Sequence, residues 1–332
     1  MALRITAVRA ATSEEWDSTW LGCDYSTYFH SREWAEIWAA YSLGRMRPRP
    51  LVVTLSDGKR ALLPLSASAH LGGVLRQHVS SPAGTFGGWI TTDDLVVDHA
   101  VLLGRYLSEK LGALVWRLNP YDPLLAVSGI EPSRTDDTQV LDLTSGFDAI
   151  SRKWTKGPVL RAVRRACREG VRVEIASTRD DWRAYYETYE ASLQRWSRPS
   201  SAYGWELFDT IHSRRSPYIR LWCARAEGRV VAGALCFYSM KHVVYWHGAA
   251  LKEYFPLRPA NLLIHEIVKD ACERGHVWFD FNPSGGHEGV KAFKKSFGPE
   301  VRASAVVIRH SRLQRAYAAL IRRATFAKRA RA

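Results

Sequence analysis

Two adjacent lysines framed by phenylalanines, Phe293-Lys294-Lys295-Ser296-Phe297-Gly298, follow an aromatic stretch, Val277-Trp278-Phe279-Asp280-Phe281-Asn282, and a turn, Pro283-Ser284-Gly285-Gly286. Side chains alternate along a strand, so Trp278, Asp280 and Asn282 share one face and Phe279 and Phe281 the other. A carboxylate in such a strand needs a partner if it is buried. Acyl transfer from an ester to an amine passes through a tetrahedral oxyanion, which a fixed cation stabilises. Lys294 is the candidate cation, with Lys295 the neighbour it can be confused with. Asp280 is a candidate to orient the attacking amine or to pair with Lys294 or an arginine. On the residues alone, a solvated lysine and a structural ion pair remain open. His247, beside Tyr245 and Trp246 at the end of a predicted strand, is a candidate base or substrate contact, and nothing nearby in the sequence completes a triad. The loops Gly285-Gly286 and Gly84 with Gly87-Gly88 match neither the P-loop nor the dinucleotide fingerprint.

The elements that must position these groups are an alternation of helices and strands. Thr27 to Tyr41 carries apolar positions at helical spacing, with Ser31 as the N-cap. Leu51–Leu55 and Arg60–Leu65 flank Asp57-Gly58 as a hairpin. Val96 to Leu111 reads as an amphipathic helix, and Ala113 to Asn119 and Thr138 to Leu143 as strands. The order then repeats. A helix starts at Pro158 and stops at Gly170, and two more cover Asp180 to Trp196 and Trp205 to Ser213. Ile219–Arg225 and Arg229–Tyr238 form a hairpin about Glu227-Gly228, a strand runs from Val243 to Gly248, a helix from Pro259 to Gly275, and a last strand from Ala303 to Ile308. The two acid-Gly-base hairpins suggest two copies of one α/β unit with mixed sheets. The expected division is 1–150, 151–308 and a basic amphipathic helix over 309–332, with the seam near Ser145 to Lys156.

In a chain of 332 residues, 46% hydrophobic and 24% charged, the composition is that of a globular protein with room for two domains. The formal net charge of +14 sits in two segments. One is Ser151 to Gly170, with Arg152, Lys153, Lys156, Arg161, Arg164, Arg165 and Arg168 against Glu169; the other is Arg309 to Ala332, which has no acid. Such segments suit a polyanion, either nucleic acid or an anionic membrane surface, or else are solvated helix faces. The five cysteines form no C-x-x-C pair and no zinc spacing, so they are read as reduced thiols. No signal-peptide core or bilayer-length apolar run stands out, and a cytoplasmic protein is expected.

Residues 228 to 298 carry Gly228-Arg229-Val230-Val231-Ala232-Gly233-Ala234-Leu235, Tyr245-Trp246-His247-Gly248-Ala249, Leu257-Arg258-Pro259-Ala260-Asn261-Leu262-Leu263, Glu273-Arg274-Gly275, Phe279-Asp280-Phe281 and Phe293 to Gly298. In this order they resemble the Fem family and the related FemAB-like group of the GNAT acyltransferase superfamily. Tyr28 to Trp34 resembles the family's N-terminal signature, and Ser81 to Trp89 its glycine loop. The resemblance implies two tandem GNAT-like domains that move an amino acid from aminoacyl-tRNA to an amine, forming a peptide bond on a cell-wall precursor or a natural-product intermediate. It places the oxyanion lysine at Lys294 and an acceptor-contacting arginine at Arg195. Where Fem proteins carry a phosphate-binding lysine, this chain has Trp38, which tells against a UDP-linked acceptor. Tyr245, His247, Arg195 and Trp38 are thus the expected substrate-binding set, and Lys156, Arg161, Arg164 and Arg165 the expected tRNA contacts. No cofactor, metal or stable protein partner is expected. The connection from Gly248 to Pro259 lacks the glycine loop with which acetyl-CoA-dependent relatives hold pyrophosphate, so an acyl-CoA donor is the enzymatic alternative. A non-catalytic tandem that binds anionic membrane through 309–332 is the other.

Overall fold

The computed structural model describes residues 2–70, 75–155, 157–195, 202–311 and 313–315. Two compact units emerge. The first comprises the residues up to Tyr25, Phe29–Asp136 and those from Ser304 on; the second is Ser26–Tyr28 with Asp137–Ala303. Both are mixed α/β, the tandem GNAT-like architecture expected from the sequence.

In the first unit the order is β1 (Ile5–Ala10), α1 (Ser13–Gly22), α2 (Arg32–Tyr41), β2 (Met46–Pro48), β3 (Leu51–Leu55), β4 (Arg60–Leu63), β5 (Ser66–His70), β6 (Leu75–Val79), β7 (Phe86–Gly87), α3 (Val97–Glu109) and β8 (Leu114–Leu118). Ser31 caps α2 as its residue type predicts, its hydroxyl accepting from the Trp34 amide at 3.1 Å. Asp57-Gly58 closes the expected hairpin, with Gly58 at φ 88° and Val53 opposite Ala61. Val53, Leu55, Trp89, Leu103 and Trp116 are buried at the centre of this unit.

The second unit runs β9 (Asp137–Asp142), α4 (Phe147–Trp154), α5 (Pro158–Arg168), β10 (Arg172–Ile175), α6 (Arg179–Leu193), α7 (Trp205–Ser213), β11 (Ile219–Ala226), β12 (Arg229–Tyr238), β13 (His242–Ala250), α8 (Pro259–Glu273), β14 (Trp278–Asp280), α9 (Glu288–Lys295) and β15 (Glu300–Ala303). Its seven strands lie in the order β10-β11-β12-β13-β14-β9-β15. Strand β12 is buried on both faces. Ala232, Ala234, Cys236 and Tyr238 join the core formed with α5 and α8. Gly233, on the other face, lies under the Tyr185 ring of α6, where a Cβ would approach Tyr185 to 2.3 Å.

One pairing shapes the site. Strands β13 and β14 are parallel and pair only through His242–Val244 and Trp278–Asp280. Asn282 then takes φ 60° and turns the chain away, while β13 continues to Ala250 along β12. The two neighbours part at Tyr245.

The boundaries differ from those read in the sequence. The strand expected at 138–143 is β9, and it belongs to the second unit, between β14 and β15. The last expected strand, 303–308, is two: β15 in the second unit and β16 (Val306–Arg309) in the first, paired antiparallel with β8. Periodicity cannot show this break, because a strand's partners lie far away in sequence. Of the helix expected over 309–332, the described residues reach Arg315, with Ser311 and Gln314 exchanging cap hydrogen bonds; the remainder lies outside them.

Candidate functional site

The two adjacent lysines differ in burial. Lys294 lies in the last turn of α9 and is only 3% exposed, whereas Lys295 is in solvent. Its ammonium donates to the main-chain carbonyl of Asn282 at 2.7 Å. Burial pushes its pKa down to about 8, and the negative charges of Asp280 and Asp137 offset part of that shift. The group is therefore still mostly a cation at neutral pH, held without a full solvent shell.

Asp280 ends β14 and is fully buried. Its Oδ1 accepts from the Thr138 hydroxyl at 2.5 Å and from the Asn282 amide at 2.6 Å. It fastens β14 to β9 and fixes the turn that aims the Asn282 carbonyl at Lys294. Asn282 also reaches β13, its side-chain amide donating to the Trp246 carbonyl at 3.4 Å. This hub role was not read in the sequence. The signal for it was the residue type, since asparagine tolerates the left-handed conformation better than most residues. Lys291, one turn before Lys294, pairs with Asp137 at 3.2 Å.

Strand β13 carries the next group. Leu235 pairs with His247 and Cys236 with Tyr245, so Trp246 is an extra residue, a β-bulge. Strict alternation would put Tyr245 and His247 on one face; the bulge separates them. Tyr245 packs on the core shared with α8. His247 packs on the α6 and α7 side against Tyr189, with ring centroids 4.4 Å apart, and against Phe208 at 5.7 Å. Its Nδ1 is hydrogen-bonded to the Tyr185 hydroxyl at 2.6 Å. Burial pulls the His247 pKa down to about 4, so the imidazole is neutral at pH 7 and a weak base. Tyr203 stacks on Trp246 at 5.4 Å, and its amide donates to the Tyr189 hydroxyl.

Arg195 follows α6. It donates to the Ser192 hydroxyl at 3.1 Å, and Ser192 in turn donates to the Ala250 carbonyl at the end of β13. Its guanidinium lies 5.3 Å from the centre of the Phe255 ring. Lys294, Asp280, Tyr245, His247 and Arg195 are thus all arrayed on or beside the β13–β14 region of the second unit.

Trp38, the remaining residue of the expected substrate-binding set, belongs to the first unit. It is a core residue there, 8% exposed and packed edge-on against Trp34 and Tyr41. Of the expected tRNA contacts, Arg161, Arg164 and Arg165 are exposed on α5, whose opposite face buries Val159, Val163 and Ala166; Lys156 lies outside the described residues. Among the described residues no cluster of His, Cys, Asp or Glu is placed to hold a metal, and no helix is long and apolar enough to cross a membrane.

The parallel pair that separates at β13 and β14, with helices on both faces, is a GNAT-type fold. The family described as acetyltransferase (GNAT) domain matches residues 157–295. The chain resembles FemX, whose crystal structure superposes with a TM-score of 0.67 at 15% identity, covering 91% of this chain and 96% of that one. It is also similar to the C-terminal domain of a putative lysylphosphatidylglycerol synthetase from Agrobacterium fabrum, with a TM-score of 0.56 at 14% identity over 89% of this chain and 90% of that one. L-PGS from Bacillus licheniformis gives 0.55 at 13% identity over 92% and 93%. At these identities the likeness establishes the fold. No match is found among curated protein sequences.

Proposed function

We propose that this protein is an acyltransferase that moves an aminoacyl group from aminoacyl-tRNA to an amine acceptor, acting in the cytoplasm. The observation that carries the reading is Lys294, a buried cation anchored on the Asn282 carbonyl beside the point where β13 and β14 part. An acceptor amine attacks the ester carbonyl, and the developing oxyanion is stabilised by the Lys294 ammonium. A C–N bond forms, the C–O bond to the tRNA ribose breaks, and the amine proton leaves with the ribose oxygen or to water. Asp280 acts through Asn282 and by keeping Lys294 charged. His247 and Arg195, on the α6 side of β13, line the acceptor side, Tyr245 backs the strand from the α8 side, and Arg161, Arg164 and Arg165 meet the tRNA phosphates. The likeness to FemX and to lysylphosphatidylglycerol synthetase domains supports an aminoacyl donor. A match to an acetyltransferase family favours one second reading, an acyl-CoA donor.

Incubating the protein with a panel of amines and either charged tRNA or acyl-CoA separates the two. Product formation that requires charged tRNA is expected. Acyl-CoA turnover without tRNA overturns the proposal.

A further inference from the structure

A buried ammonium gains free energy by swinging out to water. Lys294 sits on α9, a helix of 8 residues preceded by a turn in which Gly285 and Gly286 both take positive φ. Something must hold the end of this helix down. Phe297, 1% exposed, packs on Phe281 and Phe293, and its amide closes the last turn by donating to the Lys294 carbonyl at 3.1 Å. The Phe297 carbonyl points the other way, to Trp154. This residue ends α4, is 3% exposed, and donates its indole N–H to that carbonyl at 2.7 Å while its ring meets the Phe297 ring edge-on at 5.6 Å. Trp154 also meets the Phe147 ring, with centroids 6.2 Å apart, and the His265 ring at 6.1 Å.

A buried indole N–H needs an acceptor, and any carbonyl would serve. Here the acceptor is the residue that closes the turn carrying Lys294. We infer that Trp154 is a positioning residue for Lys294: its hydrogen bond to Phe297 pins the end of α9 and so sets the depth at which the ammonium is held. The inference rests on the reading of Lys294 as the oxyanion cation. It adds the element that keeps the cation in place, α4, which leads directly into the arginine-bearing α5.

The test combines a direct titration with kinetics. In protein labelled with 13Cε-lysine, Trp154→Phe should move the Lys294 titration midpoint upward from about 8 by at least one unit, toward the value of a solvated lysine, about 10.4. In the aminoacyl-transfer assay kcat should fall about tenfold, with the acceptor KM within about twofold. Replacing Trp154 by benzothienylalanine removes only the N–H and should reproduce both effects if the phenylalanine variant proves poorly folded. Phe147→Leu, which loosens packing on the Trp154 ring but leaves its N–H bonded to Phe297, should leave the midpoint unchanged. An unchanged midpoint in the Trp154 variants, or an equal shift in Phe147→Leu, overturns the inference. Full kcat in Lys294→Ala would instead overturn the catalytic reading and leave the titration result standing.

Discussion

The Lys294 ammonium donates to the carbonyl of Asn282 at 2.7 Å, and Asn282 presents that carbonyl because it turns at φ 60° directly after β14. A single main-chain oxygen therefore links the end of the parallel pair to the buried cation. Removing the ammonium should cost turnover far more than binding. Lys294→Ala is expected to lower kcat about 100- to 1000-fold, as loss of an oxyanion donor does, with the acceptor KM changed a few-fold at most. Lys295→Ala, at a solvent-exposed position, should stay within about twofold of wild type. Steady-state kinetics of the two variants checks this, and the reverse pattern would assign the oxyanion contact to Lys295.

The depressed pKa of Lys294 has two signs that can be measured separately. Activity should fall on the alkaline side with a midpoint near 8, because the cation is lost there. Stability should move the other way. Between pH 8 and about 10.5 the unfolded chain binds the proton that the folded chain has released, so the free energy of unfolding rises with pH across that window. The full shift is worth about 3 kcal/mol. Chemical denaturation across pH 7 to 10 should show this rise, and Lys294→Met should abolish it while making the protein more stable at pH 7.

Asp280→Asn keeps the Oδ1 acceptor for Thr138 and Asn282 and removes the charge. Asp280 raises the Lys294 pKa, so its neutralisation should lower it further. The alkaline limb of kcat should move to lower pH, by about one unit for the loss of a nearby buried charge. A limb that moves to higher pH would show that Asp280 does not hold the lysine charged.

The exposed arginines of α5 lie opposite its buried apolar face, so they can be altered without disturbing the core. The triple variant Arg161→Glu, Arg164→Glu and Arg165→Glu should weaken tRNA binding at least tenfold and reduce the salt-dependence slope by about three. The rate at saturating donor should be unchanged. Binding isotherms at several salt concentrations provide the measurement.

Gly248 has a steric role. A Cβ there would fall 1.6 Å from the Tyr245 hydroxyl, which lies over it on the bulged strand. Gly248→Ala must displace the Tyr245 ring or the strand, and should cost about 1 to 3 kcal/mol in a denaturant melt.

Much of this protein was legible without coordinates. Local chemistry determined the capped start of α2 at Ser31, the hairpin at Asp57-Gly58, the start of α5 at Pro158 and the stripe of α8, because each depends on residues a few positions apart. The ordered motifs between Gly228 and Gly298 likewise pointed to a GNAT-like tandem. What the sequence could not decide were the relationships that require a partner from elsewhere in the chain. A bulge exists only relative to the opposite strand, so the separation of Tyr245 from His247 at Trp246 was invisible. The break between β15 and β16 depends on pairing with β9 and β8, far upstream. Aromatic spacing could identify Trp38 as helical but not say that it was core. Which of Lys294 and Lys295 is buried followed from how α9 packs, with Lys294 bonded to the Asn282 carbonyl. Composition supplied two lysines; packing buried one of them.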